Sequence, residues 1–465
     1  MEQHVAMLPS PGLGHLISLV EIAKLLVSRH DFSVTVLVPT IGEPTKSQKS
    51  FLQNLPPKID YILLPPVIFD DLPEDAAPEL KICLTVTRSI APIRDALDSL
   101  KARTQVVAFL TDLFGSDAFD IAKELGIPHY LYFPSTPITL LLLYHLPKLD
   151  ETTTSQYKDL PEPVKLPGCP PLPEKDFLQP VQDRHHPAYK LVLHHAKRCT
   201  LGLGTLINCA VELDPPAVQA LQEYPGCPPV YPIGPIIHEG SDGSEIGSEC
   251  LRWLDDQPSG SVLYVAFGSG GTLSSEQLNE LALGLELSGQ RFLWVVKSPN
   301  NNSKSGAYFS TQSKEDPLAF MPEGFLERTK DRGLVVPSWA PQIQILKHSS
   351  TGGFLSHCGW GSTLESVLHG VPMIAWPLYA EQPMNAVMLH MGWKAALRPS
   401  ANEKGLVERG EVSYVVKELM EGEEGKRIRQ RMKELGEAAR TALTENGSSS
   451  KYLSQLALRW KNHDN

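Results

Sequence analysis

Gly353-Phe354-Leu355-Ser356-His357-Cys358-Gly359-Trp360-Gly361-Ser362-Thr363-Leu364-Glu365 is the stretch on which the fold turns. An apolar run enters a tight polar turn, and an amphipathic stretch follows as far as Gly370, so the order reads strand, turn, helix. Such a turn aims several main-chain N–H groups and a helix N-terminus at one point, with an imidazole and a hydroxyl beside them. That is a place for a phosphate. A plain connection, with Gly-Trp-Gly making the turn and Ser362 capping the helix, fits the same residues.

Outward from this stretch the same rhythm recurs. In the second half, Val262–Phe267, Phe292–Val296, Leu334–Val336 and Met373–Ala375 are short apolar runs, and Ser274–Leu287 carries a helical pattern. In the first half, Val5–Leu8, Val34–Val38 and Val106–Leu110 alternate with helical patterns, the first marked by Leu16, Leu19, Val20, Ile22, Ala23 and Leu26. Alternation of this kind builds parallel sheets covered by helices. At 465 residues the chain suits two domains rather than one core. The expectation is α/β: two Rossmann-like, doubly wound domains facing a cleft, one spanning 1–240 and joined by a C-terminal helix at 446–465, the other spanning 250–445. The polar, glycine-rich run His238–Ser248 reads as the linker, Asn300–Asp316 as a mobile loop, and the proline-rich run Leu160–Pro180 as an irregular excursion walling a pocket.

The net charge of -11 argues against a nucleic-acid or anionic-membrane surface, so a phosphate needs a local site. The seven cysteines have no C-x-x-C spacing, which suggests neither zinc nor a disulfide framework. Met1-Glu2-Gln3-His4 runs straight into an apolar strand, and no run of about eighteen apolar residues occurs. A cytosolic, monomeric protein without membrane insertion is expected.

After the first strand come Pro9-Ser10-Pro11-Gly12-Leu13-Gly14-His15. Gly12 and Gly14 could begin a dinucleotide fingerprint, but its third glycine falls on Ile17, and the oxidoreductase reading fails. His15 instead lies at the carboxyl end of a strand, where open α/β sheets hold ligands, and Asp112 follows a second strand of the same sheet. Either could serve only its own helix start, His15 by bonding its turn and Asp112 as an N-cap. No Gly-x-Ser-x-Gly elbow marks a serine hydrolase, and no Asp-x-Asp pair marks a metal-bridged diphosphate.

From Trp339-Ala340-Pro341-Gln342 through His357 and Glu365 to Trp376-Pro377-Leu378-Tyr379-Ala380-Glu381-Gln382, the chain closely resembles the donor-binding box of plant family 1 UDP-glycosyltransferases. Gly14-His15-Leu16 and Thr111-Asp112-Leu113-Phe114 match that family's catalytic motifs. The resemblance implies a GT-B fold, His15 as general base and Asp112 as its orienting carboxylate. A phenol ionises near pH ~10 and an imidazole near ~6.5, so a base of this kind suits a phenolic acceptor at neutral pH. By the same resemblance Trp339 stacks on uracil, the Ala340 backbone pairs with its edge, and Gln342 with Glu365 takes the ribose hydroxyls. His357 and Ser362, helped by Ser269, hold the diphosphate. Trp360, Glu381 and Gln382 face the sugar, joined by Ser135 or Thr136, and Gln382 favours UDP-glucose as the donor co-substrate. No metal is implied.

Two positions depart from the family pattern: Gly361 stands where asparagine is usual, and Ser18, read as lying in the first helical turn, where proline is usual. The wider likeness is to the hydroquinone glucosyltransferase (arbutin synthase) group, with an acceptor pocket lined by Leu13, Ile82, Leu113, Phe114 and Phe177. Hydroquinone, a chlorophenol, a monolignol and indoxyl all suit such a pocket. Transfer to nitrogen or carbon stays open, as does a catalytically silent nucleotide-sugar binder, against which the presence of both His15 and Asp112 argues.

Overall fold

The computed structural model describes residues 3–73, 76, 78–238, 245–302 and 316–462. The chain divides into two compact units, Met1–His238 with Thr441–Asn465, and Glu239–Arg440.

The first unit is built on a seven-stranded sheet of β1 (Gln3–Leu8), β2 (Ser33–Val38), β3 (Ile59–Leu63), β4 (Gln105–Thr111), β5 (His129–Phe133), β6 (Thr205–Ile207) and β7 (Val230–Pro232), in the order β3-β2-β1-β4-β5-β6-β7. Its strand pairs are parallel. Both faces are covered, which is why β2 and β5 are buried along their whole length and read as continuous apolar runs. Side chains alternate across the sheet. Val5 and Met7 join the core formed with the helix Leu13–His30, whereas Ala6 and Leu8 join the opposite core with Val86, Ile93 and Leu97. The final helix, Ser448–Asn462, lays Leu453, Leu456, Ala457 and Trp460 into the first of these cores. Trp460 meets Phe32 and Tyr130 edge-on, with ring centroids 6.0 and 5.4 Å away.

The second unit repeats the plan with a six-stranded sheet of β8 (Val262–Ala266), β9 (Arg291–Val296), β10 (Gly333–Pro337), β11 (Thr351–Ser356), β12 (Met373–Ala375) and β13 (Ala396–Leu397), in the order β10-β9-β8-β11-β12-β13. These pairs are also parallel. In each sheet the chain adds strands in one direction, returns to the middle, and continues in the other. The reversal falls between β1 and β4, and between β8 and β11. Connections leaving two such neighbours diverge to opposite faces and open a crevice at their carboxyl ends, the usual ligand position of open α/β sheets.

Two readings are altered or left aside. The stretch taken as linker already enters the helix Glu245–Asp255, whose Cys250 and Leu254 are buried; interspersed glycine and serine masked the i, i+4 spacing. Residues 239–244 of that stretch, and 303–315 of the loop expected over Asn300–Asp316, lie outside the described residues. The run Leu160–Pro180 is irregular as expected, pinned by an antiparallel bridge between Val164 and Leu172. Among the described residues, no helix is long and apolar enough to cross a membrane.

Candidate active site

At the first reversal, β1 ends and Pro9-Ser10-Pro11-Gly12 carries the chain into the helix Leu13–His30, placing His15 in its first turn. β4 ends at Thr111, and Asp112 opens the short 3-10 turn Leu113–Ala118. Asp112 occupies the N-cap position of that turn, but its carboxylate does not cap it. One oxygen, Oδ2, meets His15 Nδ1 at 2.8 Å and accepts the Ser10 backbone N–H at 2.9 Å; the other accepts the Ser10 hydroxyl. Burial alone would raise the Asp112 pKa, but the His15 ring and the Ser10 hydrogen bonds outweigh it and hold the carboxyl below its usual range. An ionised carboxylate only accepts, so the proton between the pair sits on Nδ1 and the ring's lone pair is on Nε2. The side chain of His15 is 21% exposed, so the ring is open to a substrate. Phe114 stands edge-on to it at 6.3 Å.

At the second reversal, the loop after β8 and the turn after β11 meet around His357. Gly268 has φ 68°, which a side chain rarely tolerates, and a Cβ there would lie 2.4 Å from His357 Nε2. A Cβ on Gly359 would lie equally close, at 2.4 Å. The two glycines therefore let the backbone close on the ring. Burial and the nearby charge of Lys297 push the His357 pKa down to about 3, so it works as a neutral imidazole, and its Nδ1 is buried without a partner among the described residues. Cys358 takes a positive φ of 64°, and its carbonyl is held by Asn385 Nδ2 at 2.9 Å.

The helix Trp360–His369 follows. Its N-cap is Gly359, with no side-chain cap, which corrects the reading of Ser362 as the cap. Ser362 is the third residue of the helix and its hydroxyl takes a hydrogen bond from Gln342 Nε2 at 2.9 Å. With glycine at the N-cap, no cap side chain stands over the first turn, the end at which a helix can meet an anion. Gln342 Nε2 also reaches Glu365 Oε2 at 2.6 Å, so the two residues assigned to the ribose stand together. Trp339 is 46% exposed and so offers a stacking face, whereas Trp376 is a buried core aromatic. Gln382 accepts the Leu378 and Tyr379 N–H groups on Oε1 at 2.9 and 3.0 Å, contacts that do not engage its amide nitrogen.

Several expected side chains point elsewhere. The Trp360 indole is buried against Trp393, 5.9 Å between centroids, so only its main chain is placed to meet a donor. Thr136 is an N-cap, its Oγ1 accepting the Thr139 N–H of the helix Pro137–Thr152. Phe177 is fully buried beside Tyr157 at 5.3 Å and presents no surface to line a pocket. Ser18 lies in the second helical turn, not the first, and its hydroxyl bonds Tyr132 at 2.9 Å. Ser135 and Ile82 are buried, while Leu13, Leu113 and Phe114 keep part of their surface. Glu381 is the N-cap of the helix Gln382–Val387 and accepts from Asn385 Nδ2 at 3.4 Å, and Ala340 is buried after the exposed Trp339.

Ser10, Asn385 and Lys297 were not singled out from the sequence. Ser10 had a local signal, a hydroxyl in the turn leaving β1; Asn385 had none. In the turn after β4, Asp117 with His194 and His195 brings possible metal ligands within 4.8 Å of one another, but Arg198 Nε already sits 3.2 Å from Asp117 Oδ1 and competes with a cation there.

Two parallel α/β sheets, one with a histidine–carboxylate pair at its reversal and the other with a glycine-lined turn at its own, are the GT-B architecture of glycosyltransferases that use nucleotide sugars. The profile "UDP-glucoronosyl and UDP-glucosyl transferase" matches residues 244–433. The hydroquinone glucosyltransferase of Rauvolfia serpentina is 57% identical over 460 residues, covering 99% of this chain and 98% of that protein. Phytolacca americana UGT2, solved with UDP-2fluoro-glucose and pterostilbene, superposes with a TM-score of 0.92 at 55% identity, covering 99% of this chain and 100% of that one. A Polygonum tinctorium UDP-glucosyltransferase capable of glucosylating indoxyl, solved with 3,4-dichloroaniline, gives a TM-score of 0.92 at 50% identity, covering 99% of each chain. The chain belongs to the plant family 1 UDP-glycosyltransferases and is an enzyme of that family.

Proposed function

We propose that this enzyme transfers glucose from UDP-glucose to the hydroxyl of a small phenol or phenol-like indole, inverting the anomeric carbon, with His15 as general base. The observation that carries the proposal is the 2.8 Å contact from His15 Nδ1 to a buried, ionised Asp112. With that nitrogen protonated, Nε2 takes the acceptor's proton as the phenolic oxygen bonds to C1 of glucose. The bond from C1 to the UDP oxygen breaks, and UDP leaves with the electron pair. Asp112 stabilises the imidazolium that forms and keeps the ring in the productive tautomer. The hydroquinone, pterostilbene and indoxyl named for the relatives support a planar aromatic acceptor, and Phe114 beside His15 supplies an aromatic wall.

The donor is held by the open stacking face of Trp339, the Gln342–Glu365 pair, the uncapped helix behind Gly359, and Gln382. Seven cysteines outside any disulfide suit a reducing compartment such as the cytosol, where we place the enzyme as a monomer. A second reading, transfer to an arylamine, is favoured by the dichloroaniline bound in the Polygonum relative, since an amine is nucleophilic without prior ionisation.

Incubation with UDP-glucose and a panel of hydroquinone, indoxyl and dichloroaniline, with NMR of the anomeric centre, is the test. A β-O-glucoside supports the reading, and an α-glucoside or no product on any acceptor refutes it. His15→Ala should lower phenol transfer by about 10²- to 10⁴-fold while UDP binding persists. A much smaller loss on the arylamine would give the base its stated role.

A further inference from the structure

Lys297 is the residue after β9, at the carboxyl edge of the second sheet and beside the loop that leaves β8. Its ammonium donates to the main-chain carbonyls of Gly268 and Ser269. An ammonium has three N–H groups, and two are directed by these carbonyls. Among the described residues no carboxylate pairs with it. A partly buried cation without a counter-ion is costly, and proteins keep one chiefly where an anion arrives. Its charge also reaches His357, on the turn that faces the same loop.

We infer that Lys297 binds the diphosphate of the donor, its remaining N–H reaching a phosphate oxygen and its charge offsetting what develops on UDP as the glycosyl bond breaks. The inference rests on the reading of this unit as the UDP-sugar site. A neutral His357 and uncapped helix N–H groups supply hydrogen bonds but no full charge, so the lysine adds what they lack. Its two carbonyl contacts fix the ammonium rigidly, in the manner of a preorganised donor.

Burial supports the assignment, pushing the Lys297 pKa down to about 8. Since the free site loses its proton as pH rises through that value, UDP affinity should fall there, whereas an arginine in the same place stays charged.

The test is calorimetric binding of UDP and of uridine to the full-length protein, for wild type, Lys297→Met and Lys297→Arg. The expected result is a loss of about ten- to hundredfold in UDP affinity for the methionine variant, uridine affinity unchanged, and recovery in the arginine variant. The UDP-to-uridine affinity ratio should also fall between pH 7 and about pH 9 in wild type and stay level in Lys297→Arg. Equal UDP affinity in wild type and Lys297→Met overturns the inference. So does a parallel loss of UDP and uridine, which would make the lysine a tie for the Gly268–Ser269 loop only. Failure of the wild type to bind UDP would instead remove the donor-site reading itself.

Discussion

Replacing Gly361 by asparagine should tighten donor binding. Gly361 is the second residue of the helix Trp360–His369, it is exposed, and a Cβ built on it meets nothing within 4 Å. It does not adopt a positive φ, so a side chain is accepted without backbone strain. An asparagine there adds an amide to the first turn, at the helix end proposed to meet the diphosphate. A new hydrogen bond to a charged phosphate contributes about 1.5–3 kcal/mol, and ordering the side chain costs about 1 kcal/mol. The net of about 0.5–2 kcal/mol corresponds to a roughly two- to thirtyfold lower KM for UDP-glucose. Steady-state kinetics with varied donor at saturating hydroquinone measures it, and UDP titration by calorimetry separates binding from turnover. A KM that is unchanged or higher, in a variant that melts like wild type, would refute the reasoning and mean that the site is built around the glycine.

Gly268→Ala should do the opposite, because its Cβ would fall 2.4 Å from His357 Nε2 at a φ of 68°; a tenfold or larger rise in KM for UDP-glucose is expected, about 1.4 kcal/mol or more, and a normal KM would mean that His357 is not held by this clamp. Asp112→Asn should lower phenol transfer by about 10²-fold or more. The Asp112 carboxyl has a lowered pKa, so its stabilising contribution is present above the unfolded value near ~4 and is lost as pH falls through the folded one. Melting curves of Asp112→Asn and wild type should therefore converge as the pH is taken down towards and below that range, and a constant gap would contradict the assignment. Trp460→Ala should destabilise the first unit by about 3–5 kcal/mol in urea unfolding, since the ring is buried against Phe32 and Tyr130; a loss below about 1 kcal/mol would show that the final helix is dispensable to that core.

Much of this molecule is legible in its sequence because parallel strands covered on both faces leave uninterrupted apolar runs, and the runs at Val5, Val34, Val106, Val262 and Phe292 all fall within strands. His15 and Asp112 were placed by the same logic, each just past a strand, although 97 positions separate them. What could not be read is side-chain direction. Trp360, Thr136 and Phe177 are chemically apt for a ligand, but whether an indole faces a sugar or Trp393 depends on packing partners distant in sequence. Ser362 looked like a cap because serine favours that position, yet the helix begins two residues earlier, at Trp360, and Gln342 claims the hydroxyl.

The two histidines show how one position in a fold serves opposite chemistry. His15 and His357 both follow a central strand at the reversal of a parallel sheet. Around His15 the neighbouring strand contributes an ionised carboxylate, held at Nδ1, which orients the ring with Nε2 turned away from it. Around His357, Gly268 of the neighbouring loop and Gly359 of its own turn close on the ring, and burial with the ammonium of Lys297 disfavours a positive charge there. The first ring is therefore suited to a change of charge and the second to keeping its charge constant while charge appears on the leaving group beside it. Placing a carboxylate near His357, as in Gly268→Asp, should remove that distinction. The clash with the ring and the repulsion of phosphate act in the same direction, and UDP affinity should fall further than in Gly268→Ala. Equal losses in the two variants would mean that shape alone, and not the charge around His357, governs the donor turn.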